Sequence, residues 1–149
     1  MKATIRWTDA VRFDVEAGSG ATLTTDGPPE SGGQGAGARP MELMLIGAGS
    51  CASYDVVQIL RKGRHDITGC VAHLTAERAP EPPRVFTRIA MHFVVTGRGL
   101  TDKAVARAVS LSADKYCSAS IMLSRAGVEI AHSYEVVSPP AADALEETP

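Results

Sequence analysis

The sequence predicts an α+β protein in which antiparallel sheets surround one long central helix, and three observations support this fold class. Residues 40–62 form a long, largely apolar stretch with clear helix boundaries. Short alternating stretches on both sides of it are typical of antiparallel strands. A second stretch with helical spacing follows the later strands. At 149 residues, the chain has the length of a single domain with a substantial core.

The boundaries of the central helix are marked by residues that favour helix ends. Pro40 suits the first turn, and residues 61–63 supply two cations and a glycine stop. Apolar residues go right round the helix axis, so we expect the helix to be buried on all sides. Because Glu42 and Asp55 interrupt the apolar run, we do not expect this helix to span a membrane.

The remaining elements follow from local patterning. The stretch 26–40 contains five glycines and three prolines, so it is predicted to be a long loop without regular structure. We predict one domain over 1–137 and a disordered acidic tail over 138–149. Before the loop we predict an antiparallel meander of strands 2–7, 12–16 and 21–25. After the central helix we predict an antiparallel pair of strands, 67–78 and 85–97, and then a helix that Thr101 caps. A short helix from Ser118 to Gly127 and a last strand 128–137 complete the domain.

Composition excludes several function classes. Fifteen basic and seventeen acidic residues give a formal net charge of -2, which does not indicate a nucleic acid or an acidic membrane as a partner. The amino terminus alternates like a strand and lacks the apolar core of a secretory signal, so we expect a cytoplasmic protein. The three cysteines are far apart, and there is no CxxC or HxxxH pair. We therefore expect no disulfide framework and no metal site.

Cys51, in the middle of the central helix, is the first candidate for chemistry. It shares a helix stripe with Gly47 and lies close to Gly49 along the chain. Glycines inside a helix cost roughly 1 kcal/mol each relative to alanine, so they indicate a close approach by another group. That group is either another element of the protein, which spacing alone favours, or a substrate that needs access to the sulfur.

Cys117 is the second candidate, because it lies near Lys115 and just before a predicted helix. A cation and a helix N-terminus both lower the pKa of a thiol, although a purely structural role remains open. Cys70 alternates with apolar residues and is predicted to belong to the core. The four histidines show no ligand spacing and are predicted to be exposed or hydrogen-bonded, with His73 and His92 on one sheet face.

Two segments around these cysteines carry a family resemblance. PMELMLIGAGSCASYDVVQIL surrounds Cys51 and DKYCSASIML surrounds Cys117, while RFDVEAGSG and FTRIAMHFVVTGRGL occur in the matching order. The chain, to about Val137, resembles the OsmC/Ohr family of thiol-dependent proteins that detoxify hydroperoxides, and it is most similar to the YhfA-like branch. The resemblance implies an intertwined homodimer, with central helices packed back to back and sheets outside them.

The resemblance also implies roles for both cysteines. Cys51 would attack the O–O bond of an organic hydroperoxide, which releases an alcohol and leaves a sulfenic acid. Cys117 would resolve that acid as a disulfide, and a small dithiol or a lipoyl-type protein would reduce the disulfide. The implied function is a cofactor-free peroxidase in oxidative or osmotic stress defence.

The resemblance departs from the established peroxidases at the start of the central helix. Those proteins have Pro-Glu there, and the glutamate holds an arginine against the thiolate, whereas here Met41 follows Pro40. Glu42 comes one place later, and one residue turns a side chain by about 100° around a helix. The resemblance implies Arg12 as the first candidate for the activating arginine and Arg39, in the glycine-rich loop, as the second.

Two other functions remain open. One is a non-catalytic dimeric module that binds an apolar ligand or partner next to two core cysteines. The other is a thiol that carries persulfide or another sulfur species. A lowered pKa of Cys51 favours the enzyme, whereas an inert thiol next to a bound apolar molecule favours the binding module.

Overall fold

The structure is a computed structural model that describes residues 1–140 and confirms the α+β class. Within that range it contains two three-stranded sheets and one long helix, together with shorter helices. The chain divides into two compact units, of which the first is Met1–Ile46 and the second begins at Gly47. Each unit is described by itself. Most of the predicted acidic tail, residues 141–149, lies outside the described residues.

The first unit begins with an antiparallel meander, as the sequence predicts. Its three strands are β1 (Ala3–Asp9), β2 (Arg12–Ala17) and β3 (Thr22–Thr25). The pairs Trp7 with Phe13 and Val15 with Leu23 fix the register. Ile5 and Trp7 are 60% and 69% exposed, so β1 leaves large apolar side chains uncovered in the single chain.

The loop that follows β3 has more structure than the sequence predicts. A 3₁₀ turn spans Pro29–Ser31. The buried Asp26 carboxylate accepts hydrogen bonds from the backbone N–H groups of Gly27 and Gln34, both at 2.8 Å, and of Ala36 at 3.0 Å. The segment is a loop in which only Pro29–Ser31 form a regular turn, and one carboxylate satisfies backbone groups along the glycine-rich part.

The long helix, α1 (Pro40–Lys62), has the predicted boundaries. Glu42 accepts a hydrogen bond from the backbone N–H of Arg39 at 2.9 Å, which is half of a capping box at the helix start. Its buried residues form a single stripe at steps of about four: Ala48, Gly49, Ala52, Val56 and Leu60.

The prediction that α1 is buried on all sides is wrong for the single chain. Ile46 and Tyr54 are 53% and 65% exposed, because the described elements cover only one stripe of the helix. By length and apolar composition α1 could cross a membrane. However, its fully buried Val56 and nearly buried Leu60 identify it as a helix that packs into a protein core.

The second unit combines a mixed sheet with helices. The sheet order is β4-β5-β6, and β5 pairs antiparallel with β4 and parallel with β6. A parallel pair needs a crossover, which the two helices between β5 and β6 provide. The elements are β4 (Asp66–Arg78), β5 (Phe86–Arg98), α2 (Asp102–Leu111), α3 (Ser118–Arg125) and β6 (Glu129–Val137).

The core of the second unit lies against one face of β5. Its buried residues alternate along the strand: Ile89, Met91, Phe93 and Val95. The predicted strand 85–97 begins one residue too early, because Val85 precedes β5 and is 54% exposed. Thr101 caps α2 as predicted, because its hydroxyl accepts a hydrogen bond from the backbone N–H of Ala104 at 3.2 Å.

Candidate functional site

Cys51 lies on α1 and is half-buried. The two glycines near it have different surroundings. A Cβ added to Gly49 would lie 2.8 Å from both Cδ atoms of Leu74, whereas a Cβ added to Gly47 would meet no atom within 4 Å. Gly49 is therefore required for close packing, and Gly47 leaves open space on the face of α1 that carries Cys51.

Cys117 lies at the N-cap of α3 and is fully buried. Its Sγ accepts hydrogen bonds from the hydroxyl of Ser120 at 3.1 Å and from the backbone N–H of the same residue at 3.4 Å. A single π-helical turn, Ser112–Tyr116, leads into this position. Ser112 joins the turn to α1, since its hydroxyl donates to the carbonyl of Ala52 at 3.2 Å. The fold thus holds Cys117 against α1.

Two cysteines and one carboxylate come together at this point. Cys51 Sγ, Cys117 Sγ and a carboxylate oxygen of Asp55 all lie within 4.8 Å of one another. Cys51 Sγ also lies 3.9 Å from the hydroxyl of Ser118. A disulfide needs a sulfur–sulfur distance of about 2.05 Å, so the two thiols are near enough to be joined by a modest movement of their side chains.

The surroundings lower the pKa of Cys51. Burial acts to raise it, but the backbone N–H of Ala119, the thiol of Cys117 and the hydroxyl of Ser118 all donate to the sulfur and outweigh burial. The charge of Asp55 opposes this lowering. Because Ala119 belongs to the first turn of α3, the start of that helix stabilises the thiolate of Cys51.

The pKa of Cys117 moves the other way. Burial raises it, and the hydrogen bonds from Ser120 only partly offset that effect. The expectation that Lys115 and the helix N-terminus lower this pKa is therefore wrong. The Lys115 ammonium lies over the Tyr116 ring, 5.5 Å from its centroid. The two thiols therefore have opposite pKa shifts, and Cys51 is the more readily ionised of the pair.

Asp55 is the residue of this cluster that sequence reasoning missed as a functional candidate. Its Oδ2 is buried and has no hydrogen-bond partner among residues 1–140, and burial raises the pKa of this carboxyl. The spacing in the sequence could have identified it. An acidic residue four positions after Cys51 on an apolar helix lies on the same face of the helix as the cysteine.

A shallow groove of about 240 Å³ adjoins the cluster on the side of Asp55. Its walls combine two tyrosines with aliphatic and polar side chains, namely Tyr54, Asp55, Gln58, Ile59, Lys62, Leu111 and Tyr116. An apolar molecule with a polar end is chemically suited to such a surface.

The other predicted site residues belong to the first unit and make contacts there. Arg12 forms an ion pair with Asp9 at 3.8 Å and also contributes to lowering the pKa of Asp26. Glu42 accepts the hydrogen bond from the backbone of Arg39 described above. Within residues 47–140, no lysine or arginine contributes to the lowered pKa of Cys51.

The remaining cysteine differs from its prediction. Cys70, predicted to belong to the core, is only half-buried on β4, and burial raises its pKa. His73 and His92 are directly opposite each other on β4 and β5, which confirms their common face. His132 is an exception, because its Nε2 is buried without a hydrogen-bond partner among the described residues. Its ring stacks on Phe93 with centroids 6.3 Å apart.

The fold and the cluster define an α+β protein with a buried thiol beside a half-buried thiol of lowered pKa, and comparison with known proteins agrees. The family model for OsmC-like proteins matches residues 32–133. Protein YhfA of Escherichia coli K12 is 51% identical over 138 residues, which cover 93% of this chain and 99% of YhfA. The chain therefore belongs to the OsmC-like family.

Solved structures support the same conclusion. A hypothetical protein from Aquifex aeolicus is 28% identical and has a TM-score of 0.80, over 93% of this chain and 96% of that one. A Legionella pneumophila protein described as an organic hydroperoxide resistance protein OsmC has a TM-score of 0.69, over 91% of this chain and 96% of its own. At 20% identity, the latter similarity shows the common fold.

Proposed function

We propose that this chain is a cysteine-based peroxidase that reduces organic hydroperoxides to alcohols. The observation that carries the proposal is the cluster itself, in which the sulfur with the lowered pKa lies within 4.8 Å of the sulfur with the raised pKa. Thiolate is the nucleophile toward a peroxide, whereas a buried thiol reacts slowly with external oxidants. The half-buried Cys51 is therefore the residue that attacks, and Cys117 is the residue that resolves.

The reaction has two steps. The thiolate of Cys51 attacks the terminal oxygen of the hydroperoxide, so that the O–O bond breaks, an alkoxide leaves and a sulfenic acid forms. Cys117 then attacks the sulfur of that sulfenic acid, which forms a disulfide and releases water. A small dithiol or a lipoyl-type protein restores the two thiols. Some relatives of this fold are described as organic hydroperoxide resistance proteins, which favours this class of substrate.

The experiment measures consumption of an alkyl hydroperoxide with a dithiol reductant. Cys51→Ser should abolish turnover, and Cys117→Ser should leave Cys51 to accumulate as sulfenic and then sulfinic acid. Cys70→Ser is the matched control and should behave like wild type. Peptide mapping after one equivalent of peroxide should identify a Cys51–Cys117 disulfide. Equal rates for wild type and Cys51→Ser would refute the assignment.

The activating residue is part of the same proposal. The Cys51 sulfur accepts hydrogen bonds from Ala119, Ser118 and Cys117. These hydrogen bonds would stabilise the thiolate, as an arginine does in the established peroxidases that the chain resembles. Arg12 remains the first candidate for an additional cation and Arg39 the second. If Arg12 acts on the thiolate, Arg12→Gln should shift the pH dependence of Cys51 alkylation to higher pH, whereas Arg39→Gln should not.

We also propose that the protein is an intertwined homodimer. A second copy would cover the large apolar side chains that the single chain leaves exposed, which include Ile5, Trp7, Ile46, Tyr54 and Met122 at 53–69% exposure. Sedimentation equilibrium should give twice the mass of the 15.6 kDa chain. A monomer at micromolar concentration would refute this proposal.

The groove next to Asp55 supports the alternative of a binding module for an apolar ligand. Titration with fatty acids and fatty hydroperoxides separates the two functions. A module would bind both without oxidation of Cys51, whereas a peroxidase consumes only the hydroperoxide.

A further inference from the structure

Asp55 occupies an unusual position for a carboxyl group. It lies one helical turn after Cys51, and one of its oxygens lies within 4.8 Å of both sulfurs of the cluster. Its Oδ2 is shielded from solvent and has no hydrogen-bond partner among the described residues. An ionised carboxylate here would repel the thiolate of Cys51, so the arrangement favours one proton held between the two groups.

We propose that Asp55 is the proton donor to the alkoxide that leaves when Cys51 attacks the hydroperoxide. This inference rests on the proposed peroxidase function and assigns the one cluster residue that the two thiol steps do not use. Burial raises the pKa of Asp55 while hydrogen bonds lower that of Cys51, so the two pKa values move toward each other and a proton can pass between the two groups.

The first step then balances without a free alkoxide. The thiolate of Cys51 forms a bond to the terminal oxygen, the O–O bond breaks, and the proton of Asp55 passes to the departing oxygen. The products are a neutral alcohol, a sulfenic acid on Cys51 and an ionised Asp55. The sulfur is oxidised by two electrons and the peroxide is reduced by two.

The second step uses the carboxylate that the first step leaves. Asp55 takes the proton from the thiol of Cys117, and the resulting thiolate attacks the sulfenic acid. Hydroxide leaves from Cys51 and takes that proton from Asp55 to become water. The raised pKa of Cys117 means that this thiol needs a base at neutral pH, and Asp55 lies within reach of its sulfur. Solvent then reprotonates Asp55.

Other groups around Asp55 leave this assignment intact. From α1, Cys51 faces it, and Tyr54 and Lys62 line the adjoining groove; Tyr116 lines the groove from the π-helical turn. No ion pair links Lys62 to Asp55 within residues 47–140. Lys62 therefore does not stabilise the ionised form of Asp55 over its neutral form.

The test compares two oxidants that differ in their leaving groups. An alkyl hydroperoxide expels a strongly basic alkoxide that needs a proton, whereas a peracid expels a weakly basic carboxylate that does not. Asp55→Asn keeps the size of the side chain but removes the acid. It should lower kcat/KM for cumene hydroperoxide by about 100-fold, the lower end of general acid catalysis, and leave kcat/KM for the peracid close to wild type, because kcat/KM for the oxidant does not include the later disulfide step.

A second readout distinguishes a chemical role from a structural one. Because the charge of Asp55 opposes the lowered pKa of Cys51, Asp55→Asn should leave alkylation of Cys51 by iodoacetamide at low pH as fast as in wild type or faster. Glu81→Gln, which makes the same change on an exposed loop, is the control and should alter neither oxidant. Equal losses with both oxidants, or no loss with either, would overturn the inference. A wild type inactive toward both oxidants would refute the proposed function itself.

Discussion

Substitution of Gly49 by alanine tests how α1 packs beside the cysteine cluster. The added methyl would lie 2.8 Å from both Cδ atoms of Leu74, which is too close for unperturbed packing. Alanine gains about 1 kcal/mol of helix propensity over glycine, while overpacking costs about 1–3 kcal/mol. We therefore expect Gly49→Ala to lose up to about 2 kcal/mol of unfolding free energy.

Gly47→Ala is the matched control on the same helix. It gains the same propensity, and its methyl meets no atom within 4 Å. The gain in helix propensity is the same in both variants and cancels when their unfolding free energies are subtracted. The difference should therefore equal the overpacking cost, about 1–3 kcal/mol. Equilibrium urea unfolding at matched protein concentration measures both values, so that self-association contributes equally.

A third variant locates the clash. In a Leu74→Ala background the methyl at position 49 has room, so adding Gly49→Ala there should stabilise the protein by about 1 kcal/mol instead of destabilising it. Equal unfolding free energies for Gly47→Ala and Gly49→Ala would refute the packing assigned to Leu74.

Two further predictions concern hydrogen bonds to single side chains. Ser120→Ala removes the hydroxyl that donates to Cys117 Sγ at 3.1 Å, so the pKa of Cys117 should rise further. Disulfide formation, followed by stopped flow, should slow about tenfold, and Ser124→Ala, one turn later, should not change it. Asp26 has a pKa below its usual 3.8, first because of the N–H of Ala36 and then that of Gln34. A lowered folded pKa stabilises the protein above the unfolded pKa, about 3.9, and this contribution is lost as pH falls through the folded value. Asp26→Asn should abolish this pH dependence, measured by amide hydrogen exchange of residues 27–37; an unchanged profile would contradict the role of the carboxylate.

The local elements could be predicted because their signals are contained in short stretches. Pro40 and the cationic end before Gly63 define α1, and Thr101 defines the start of α2. Alternation predicted the strands to within about two residues, which is the usual uncertainty of strand ends. The hydrogen bonds that order the long loop could not be predicted, since the interactions of Asp26 reach ten residues along the chain, beyond any local pattern.

The sequence by itself determined the helices and the strands, because periodicity and caps act over a few residues, and it marked Cys51 and Cys117 as candidates. Tertiary structure decided the burial of those cysteines and the hydrogen bonds that they accept. It directed the first turn of α3 toward Cys51, where the sequence suggested that it would act on Cys117. It also brought Asp55 to both sulfurs, where its Oδ2 has no hydrogen-bond partner among residues 1–140. Desolvation and hydrogen bonding depend on distances between elements far apart in the chain, so only the folded structure fixes which thiol has the lower pKa.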